Sequence, residues 1–253
     1  MSEKGTIQIE SPSESVIKII FSTPAHNALP SDLLQALANA IEEAGQKAAR
    51  VIVLQSGGER TFCAGASFDE LLQLQNEAES IAFFSGFANV ILACRNSPSI
   101  VISRIQGKAI GGGVGLAAAA DYCFATEQAA IRLSELAIGI GPFVIGPAVE
   151  RKIGLSAFSQ MALKPQQFFS AQWAQEKGLY HEVFQNIADM DNALHDFVAQ
   201  LAQYSPQALT ALKRAFWQDT SHWPTLLAER AATSGRLALS ETTQTALKAF
   251  KKN

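Results

Sequence analysis

The sequence predicts an α/β fold in which a parallel sheet is followed by a helical C-terminal region. Short apolar runs of strand length alternate with helical patterns as far as residue 125, and glycine-rich segments separate several of them. Beyond about residue 156 only helical spacing is found. Alternating strands and helices favour parallel strands joined by right-handed crossovers. We therefore expect a core over residues 1–195 and a helical region over residues 196–253.

The N-terminal segment predicts two strands, a helix and a third strand. Residues 6–10 and 16–21 are rich in β-branched and apolar residues, and a turn-like segment at residues 11–14 separates them. Ser31 is expected to cap a helix whose apolar residues follow helical spacing: Leu33, Leu34, Leu37, Ile41 and Ala44. Residues 51–54 are continuously apolar, which indicates a strand buried on both faces.

The middle of the chain predicts two similar units, and its C-terminal part predicts helices. We expect a helical stretch at residues 68–87, continuing through 88–94, and a strand at residues 100–105. A glycine break at residues 107–113 then leads to a helix at 114–120 and a strand at 122–125. The later helices are expected at residues 171–178, 191–202, 206–218, 226–236 and 241–250. Asp121, between a helix and a strand, is expected to be a structural hydrogen-bonding residue.

Composition argues against several classes of protein. The net charge is −3 and only 17% of residues are charged, which disfavours a general nucleic-acid binder. We find no apolar stretch of membrane-spanning length and no signal-peptide pattern at the N-terminus. Three widely spaced cysteines and scattered histidines disfavour a disulfide framework or a metal site. We expect a cytoplasmic protein with no nucleic-acid, membrane or metal partner.

The segment most informative about chemistry is a run of three glycines at Gly111, Gly112 and Gly113. A predicted strand leads into it, and an alanine-rich helix follows directly. Backbone without side chains can lie against a ligand, and the free N–H groups of a first helical turn favour an anion or a carbonyl that becomes one. The glycine spacing matches neither a Walker loop nor GxGxxG. A tight turn with close helix packing is the alternative explanation.

A second glycine-containing loop, residues 61–68, also joins a strand region to a helix start. Two such loops from one parallel sheet could supply two N–H donors to a single oxygen, which is the geometry of an oxyanion hole. An ordinary strand-to-helix connection is the alternative for this loop taken alone.

Five motifs in order resemble the enoyl-CoA hydratase/isomerase (crotonase) superfamily. They lie at residues 24–29, 63–68, 107–113, 134–142 and 170–179, and the resemblance extends from about Ile7 to the C-terminus. It implies a crotonase-like spiral of ββα units with a C-terminal helical trimerisation region, assembled as a homotrimer or hexamer. It also implies an acyl-CoA thioester substrate, with coenzyme A entering as part of that substrate and no separate cofactor.

The resemblance assigns roles to individual residues. The backbone N–H groups of Ala66 and Gly112 match the oxyanion-hole donors, and Glu135 matches a catalytic carboxylate. Residues 25–28 and 64–69 would line the coenzyme A channel. The remaining substrate-binding candidates are Ala25, His26, Ala64, Ser67, Phe68, Asp69, Gly111, Phe143, Phe250 and Lys251. For His26 the alternative is a loop residue without a role, and for the last two it is an ordinary helix end.

One residue departs from the hydratase pattern. Hydratases of the family have two glutamates, and the matching positions here are Gly115 and Glu135. Burial of Glu135 in its apolar stretch should raise its pKa toward neutrality and suit it to proton transfer. One carboxylate is sufficient to move a double bond, so the chain resembles the family's Δ3,Δ2-enoyl-CoA isomerases. Dienoyl-CoA isomerases place a further acid where Phe143 stands, which disfavours that subclass.

Several functions stay open at this point. A hydratase or dehydratase could work with one glutamate and a differently held water, and decarboxylases of the superfamily can lack the first glutamate. The missing acid also allows a non-catalytic acyl-CoA-binding subunit or a structural oligomer with an occluded pocket. An acyl pocket lined by Phe68, residues 71–87, Phe143 and Val144 would suit an apolar acyl group of unspecified length.

Overall fold

The computed structural model describes residues 5–47 and 49–250, without the side chain of Phe250. Its strands, in chain order, are β1 (Thr6–Ser13), β2 (Val16–Ser22), β3 (Val51–Ser56), β4 (Thr61–Cys63), β5 (Ile100–Ile105), β6 (Lys108–Ile110), β7 (Tyr122–Thr126), β8 (Ile131–Arg132) and β9 (Glu182–Phe184). Its helices are α1 (Ser31–Gln46), α2 (Phe68–Leu71), α3 (Glu77–Asn96), α4 (Gly112–Ala119), α5 (Gly146–Ala162), α6 (Ala171–Glu176), α7 (Ile187–Leu201), α8 (Pro206–Phe216), α9 (Trp223–Ala238) and α10 (Glu241–Phe250).

The strands form two sheets. The larger has six strands in the order β1-β2-β3-β5-β7-β9, with β1 antiparallel to β2 and the other neighbours parallel. The smaller is a parallel sheet in the order β4-β6-β8. From β3 onward consecutive strands therefore alternate between the two sheets, as in the ββα spiral expected from the resemblance. The predicted α/β class and the helical C-terminal region are both confirmed.

Strand β3 shows why the large sheet is buried on both faces. Ile52 and Leu54 belong to one apolar cluster with α1, α3 and α4. Val51 and Val53 belong to a second cluster that includes residues of α7 and α8. Because successive side chains of a strand point to opposite faces, a continuously apolar run is needed when both faces are covered. The burial predicted for this strand is thus confirmed.

Several element predictions were wrong in detail. Strand β1 continues to Ser13 and rejoins β2 across a register irregularity, so the turn is shorter than predicted. Pro30, not Ser31, occupies the cap position of α1, while the Ser31 hydroxyl donates to Glu70. The predicted helix over residues 68–87 is two helices, because Asn76 caps a new helix at Glu77.

Strands β6, β8 and β9 were absent from the prediction, and β6 and β9 show why such short strands are missed. Strand β6 lies inside the segment predicted as a glycine break, and β9 lies inside the region predicted as purely helical. Each is three residues long, too short to show alternation. Both owe their conformation to pairing with a neighbouring parallel strand, β4 or β8 for the first and β7 for the second.

Helix α3 also bears on the expectation that the chain has no membrane-spanning segment. By length and composition it could cross a bilayer, although no apolar stretch of that length was identified in the sequence. Half of its apolar window is buried inside the protein, where the helix packs against α1 and α9. That burial is typical of a core helix, which passes the same test of length and composition.

The C-terminal helices are joined to the core through a buried ion pair. Asp121, which follows α4, accepts hydrogen bonds from Val101 N (2.8 Å), Lys213 Nζ (2.5 Å) and Trp217 Nε1 (2.8 Å). Both charged side chains are only 2% exposed. The structural role expected for Asp121 agrees with these contacts. The division after residue 195 falls inside α7 and stays a prediction.

We predict that Asp121→Ala lowers the free energy of unfolding by about 3–5 kcal/mol, because it leaves the Lys213 ammonium buried without a partner. Urea unfolding followed by circular dichroism measures this change. The matched control is Glu10→Ala, which removes the partly exposed pair with Lys18. It should cost about 1 kcal/mol or less. Equal losses for the two variants would contradict the role given to Asp121.

Candidate active site

The site lies where the three strands of the small sheet end. Strand β4 leads into the loop of residues 64–67, β6 leads into Gly111, and β8 is followed by Glu135 after two residues. Because these strands are parallel neighbours, their carboxyl ends share one edge, the position at which ligands bind in open α/β sheets. A cavity of about 1070 Å³ opens there. The two predicted loops and the predicted carboxylate therefore converge.

Gly112 supplies the first candidate oxyanion donor. Gly111, with φ of 52° and ψ of −118°, turns the chain into α4, and its own N–H donates to Arg132 O at 2.8 Å. Gly112 is the first residue of α4, so its N–H has no intrahelical acceptor. It has no other acceptor within the described ranges. This N–H is thus free to bind an oxygen at the positive end of the helix dipole.

Ala66 supplies the second candidate donor. Leu29 N donates to Gly65 O at 2.8 Å and Ser67 N donates to Leu29 O at 2.9 Å, so the chain around Ala66 pairs with Leu29 in the manner of a strand. In such pairing the N–H of the middle residue points the other way. The Ala66 N–H accordingly has no acceptor in the part of the chain that is described.

The two donor loops touch each other. A Cβ placed on Gly65 would lie 3.4 Å from Gly112 N and 3.2 Å from Ile110 O, and φ at Gly65 is 95°. A side chain at this position would be strained and would press against the second loop. Close approach of the loops therefore requires glycine, and it brings the two free N–H groups to one side of the cavity. Both line that cavity.

Glu135 lies beside the donor loops. It begins a 3-10 turn, Glu135–Ile138, and a Cβ on Gly111 would lie 3.0 Å from its Oε1. Its Oε2 is buried and has no hydrogen-bond partner among the described residues. Burial raises the pKa of Glu135 to about 7, against smaller lowering effects of the backbone N–H groups of Glu135 and Ser134 and of the Arg132 charge. The expected rise of this pKa toward neutrality agrees with the geometry.

Gly115 marks the position of the missing acid. A Cβ there would lie 2.4 Å from Ile145 Cγ2 and 2.7 Å from Ile145 Cβ, so the isoleucine occupies the space that a side chain would need. Both residues are buried. The absence of a second glutamate is therefore accompanied by apolar packing, and no water-holding group replaces it at this point.

The other predicted binding residues fall into two groups. Those that line the cavity are Ala25, Ala64, Ser67, Phe68, Asp69, Gly111 and Phe143. His26 is exposed and does not line it, although its carbonyl accepts from Ala64 N at 3.2 Å. Phe250 ends α10, but its side chain lies outside the description, as does the whole of Lys251. Roles for these three, and assembly as a trimer or hexamer, stay predictions.

Sequence reasoning missed Asn27, which ties the loop of residues 23–28 to the start of β4. Its φ is 57°, its Oδ1 accepts from Thr23 N at 3.0 Å, and its Nδ2 donates to Gly57 O and Thr61 O at 2.8 Å each. It is buried between the loop and the start of β4. Asparagine tolerates the left-handed region and bonds backbone groups, which was the available signal.

Arg132 was also missed. It lines the cavity, and its Nε is buried without a hydrogen-bond partner in the described ranges. It belongs to a strand of two residues, too short to show which way its side chain points.

We predict that Glu135→Gln stabilises the protein above pH 7 and not below pH 4.5. The folded carboxyl, with a pKa of about 7 in place of the usual 4.5, resists ionisation, so ionisation in the unfolded state costs stability as pH rises from 4.5 to 7. The full difference is on the order of 3 kcal/mol. Urea unfolding of both proteins at pH 4 and pH 8 measures it. A gain of equal size at both values would contradict the buried-carboxylate account.

Comparison with known proteins agrees with this geometry. A family model described as enoyl-CoA hydratase/isomerase matches residues 11–251. The 2,3-dehydroadipyl-CoA hydratase of Escherichia coli (strain K12) is 32% identical over 213 residues, 83% of this chain and 82% of that protein. The peroxisomal Delta(3,5)-Delta(2,4)-dienoyl-CoA isomerase of Arabidopsis thaliana is 25% identical over 234 residues, 84% of this chain and 82% of that protein.

Solved structures give the same result. An enoyl-CoA hydratase from Mycobacterium avium superposes with a TM-score of 0.83 at 26% identity, covering 97% of this chain and 96% of that one. The enoyl-CoA hydratase from Bacillus halodurans superposes with a TM-score of 0.88 at 20% identity, covering 96% and 99%, and shows the likeness of fold. With five motifs in order, a shared fold and a family match over nearly its whole length, the chain belongs to the enoyl-CoA hydratase/isomerase family and is an acyl-CoA-processing enzyme of that superfamily.

Proposed function

We propose that this enzyme moves the double bond of an enoyl-CoA thioester, with Glu135 as the single proton carrier. The observation that carries the proposal is the packing of Ile145 against Gly115. Hydration by two carboxylates needs an acid where this packing lies, and double-bond migration needs only one base.

The proposed steps use the two N–H groups and the Glu135 carboxylate. The thioester oxygen binds the N–H groups of Gly112 and Ala66, and the Glu135 carboxylate takes a proton from C2 of a 3-enoyl thioester. The electrons of that C–H bond pass into a dienolate, whose oxygen the two N–H groups stabilise. Protonated Glu135 then returns the proton to C4. The electrons move back to restore the thioester carbonyl, and the double bond now joins C2 and C3.

A pKa near 7 suits a group that must take a proton and return it. A carboxyl of ordinary pKa would be a weak base toward carbon and, at neutral pH, would rarely hold the proton that it must deliver. Matching the pKa to the working pH favours both halves of the transfer.

Other carboxylates of the cavity are less suited to a second role. The Glu70 carboxylate accepts from Ser31 N at 2.9 Å and from Ser31 Oγ at 2.8 Å, so it holds the start of α1. Asp32 and Asp69, which also line the cavity, are exposed. None of the three lies against Gly111 as Glu135 does. A relative named as a hydratase makes hydration the principal rival. Isomerisation converts a 3-enoyl ester at constant mass, whereas hydration adds one water to a 2-enoyl ester.

Incubation with 3-enoyl-CoA and 2-enoyl-CoA of equal chain length separates these reactions. We predict conversion of the 3-enoyl ester to the 2-enoyl ester at constant mass. Chromatography and mass spectrometry measure this conversion. Gain of one water from the 2-enoyl ester, without migration, would show a hydratase. Loss of carbon dioxide from a carboxylated ester, without migration, would show a decarboxylase, and binding without turnover would show a non-catalytic subunit.

Glu135→Gln should lower isomerase kcat by on the order of 100-fold or more, because an amide cannot take the proton. The matched control is Glu70→Gln, which alters a carboxyl of the same cavity that is bound to Ser31. It should retain most of the wild-type kcat. An unchanged rate in the Glu135 variant would remove this residue from the mechanism.

The pH dependence should report the same group. We predict that kcat/KM for the 3-enoyl ester rises as pH increases through about 7, since only the ionised carboxylate accepts a proton. Initial rates from pH 5 to pH 9 measure this limb. A profile that is flat down to pH 5 would indicate a base of ordinary pKa and contradict the assignment.

A further inference from the structure

Arg132 is a cation of the cavity that the proposed isomerisation does not use. It ends β8 and pairs with Ile110 of β6, and its carbonyl accepts the Gly111 N–H at 2.8 Å. Its backbone is therefore hydrogen-bonded to the residue that precedes the oxyanion donor Gly112. Glu135 follows Arg132 by three positions in the chain. The side chain contributes to the lining of the cavity.

The guanidinium is held on one face by an aromatic ring. Its Cζ lies 4.4 Å from the centroid of the Phe168 ring. A cation–π contact of this kind restrains the guanidinium beside the ring without using its N–H donors. A group fixed in this way loses little conformational freedom when it binds a planar anion.

Arg132 makes no ion pair among the residues described, although its charge acts on Glu135 and lowers the pKa of that carboxyl. The ion pairs found there are Lys18–Glu10, Arg104–Asp191 and Lys213–Asp121, and none includes this residue. The Nε atom is buried and makes no hydrogen bond within the same part of the chain. Arg132 as a whole is half-buried, but a buried polar atom without a partner costs free energy, so its Nε favours binding of an acceptor. The site is thus arranged to gain from an anion that arrives with the ligand.

Two anions are poor candidates for that place. The phosphates of coenzyme A are separated from the thioester by the whole pantetheine arm, whereas Arg132 lies beside the thioester-binding loops. The Glu135 carboxylate makes no ion pair with Arg132, and its Oε2 stays unpartnered. The remaining source is the acyl group itself.

We propose that Arg132 is a specificity-determining residue that binds a carboxylate at the far end of the acyl group. The substrate class is then a short-chain dicarboxylic mono-thioester of coenzyme A. The apolar walls formed by Phe83, Phe84 and Phe143 pack against its methylene carbons. This inference rests on the proposed function for the identity of the thioester site, and it departs from the wholly apolar acyl group expected from the sequence by adding a terminal carboxylate.

Binding of saturated thioesters tests this independently of turnover. Glutaryl-CoA and valeryl-CoA both carry five acyl carbons and differ in a terminal carboxylate or methyl group. Isothermal titration should show tighter binding of glutaryl-CoA by the wild-type protein. Arg132→Gln should weaken glutaryl-CoA on the order of 10-fold to 100-fold and change valeryl-CoA by less than about 3-fold. Because neither ester has a double bond, the result stands whether or not the enzyme is an isomerase.

Two further variants make the result specific. Lys108→Gln removes a second cation near the Phe168 ring, where Lys108 Nζ lies 5.1 Å from the ring centroid. Lys108 does not line the cavity. This variant should leave both affinities unchanged. Arg132→Lys keeps the charge and should retain part of the preference, which guards against a Gln variant that fails to fold.

Three outcomes would overturn the proposal. They are tighter binding of valeryl-CoA by the wild type, equal weakening of both esters by Arg132→Gln, and equal effects of the Lys108 and Arg132 variants.

Discussion

The close approach of two backbone loops is the constraint on which the site depends. The backbone at Gly65 favours glycine because its φ of 95° would strain any side chain, and a Cβ there would lie 3.2 Å from Ile110 O of the second loop. The parallel pairing of β4 with β6 brings the loops to one edge, and pairing of Leu29 with Ala66 turns the second N–H toward the cavity. The small sheet thus fixes two donors without any catalytic side chain. Preorganised N–H groups of this kind stabilise an oxyanion without reorganising during the reaction.

The third strand of the same sheet adds the chemistry. Strand β8 delivers Glu135 to the edge already occupied by the donors, and burial there raises the pKa of its carboxyl to about 7. Ile145 packs where a second acid would have to stand, beside Gly115. In the proposed reaction the two N–H groups stabilise the enolate, and the described residues provide no second carboxylate at Gly115 to position water. Proton transfer within the bound ligand is the reaction that we propose for this combination.

Much of this arrangement could be predicted from the sequence. Local patterns were sufficient for two buried elements, because β3 begins with an apolar run and α1 has apolar residues at helical spacing. The glycine motifs indicated where two backbone loops were expected to approach a ligand. Strand β6 escaped prediction because its conformation comes from its neighbours. The contact of Ile145 with Gly115 and the unpaired state of Arg132 depend on residues brought together by the fold, so no local pattern could show them.

The most direct test of a single proton carrier is a label-transfer measurement. A 3-enoyl-CoA that carries deuterium at C2 is converted by excess enzyme in a single turnover in ordinary water, and the product is analysed by mass spectrometry and NMR. If Glu135 carries the proton from C2 to C4, a fraction of the 2-enoyl product has at C4 the deuterium that Glu135 removed from C2. A product with no deuterium at C4, or one that has gained water, would contradict the account.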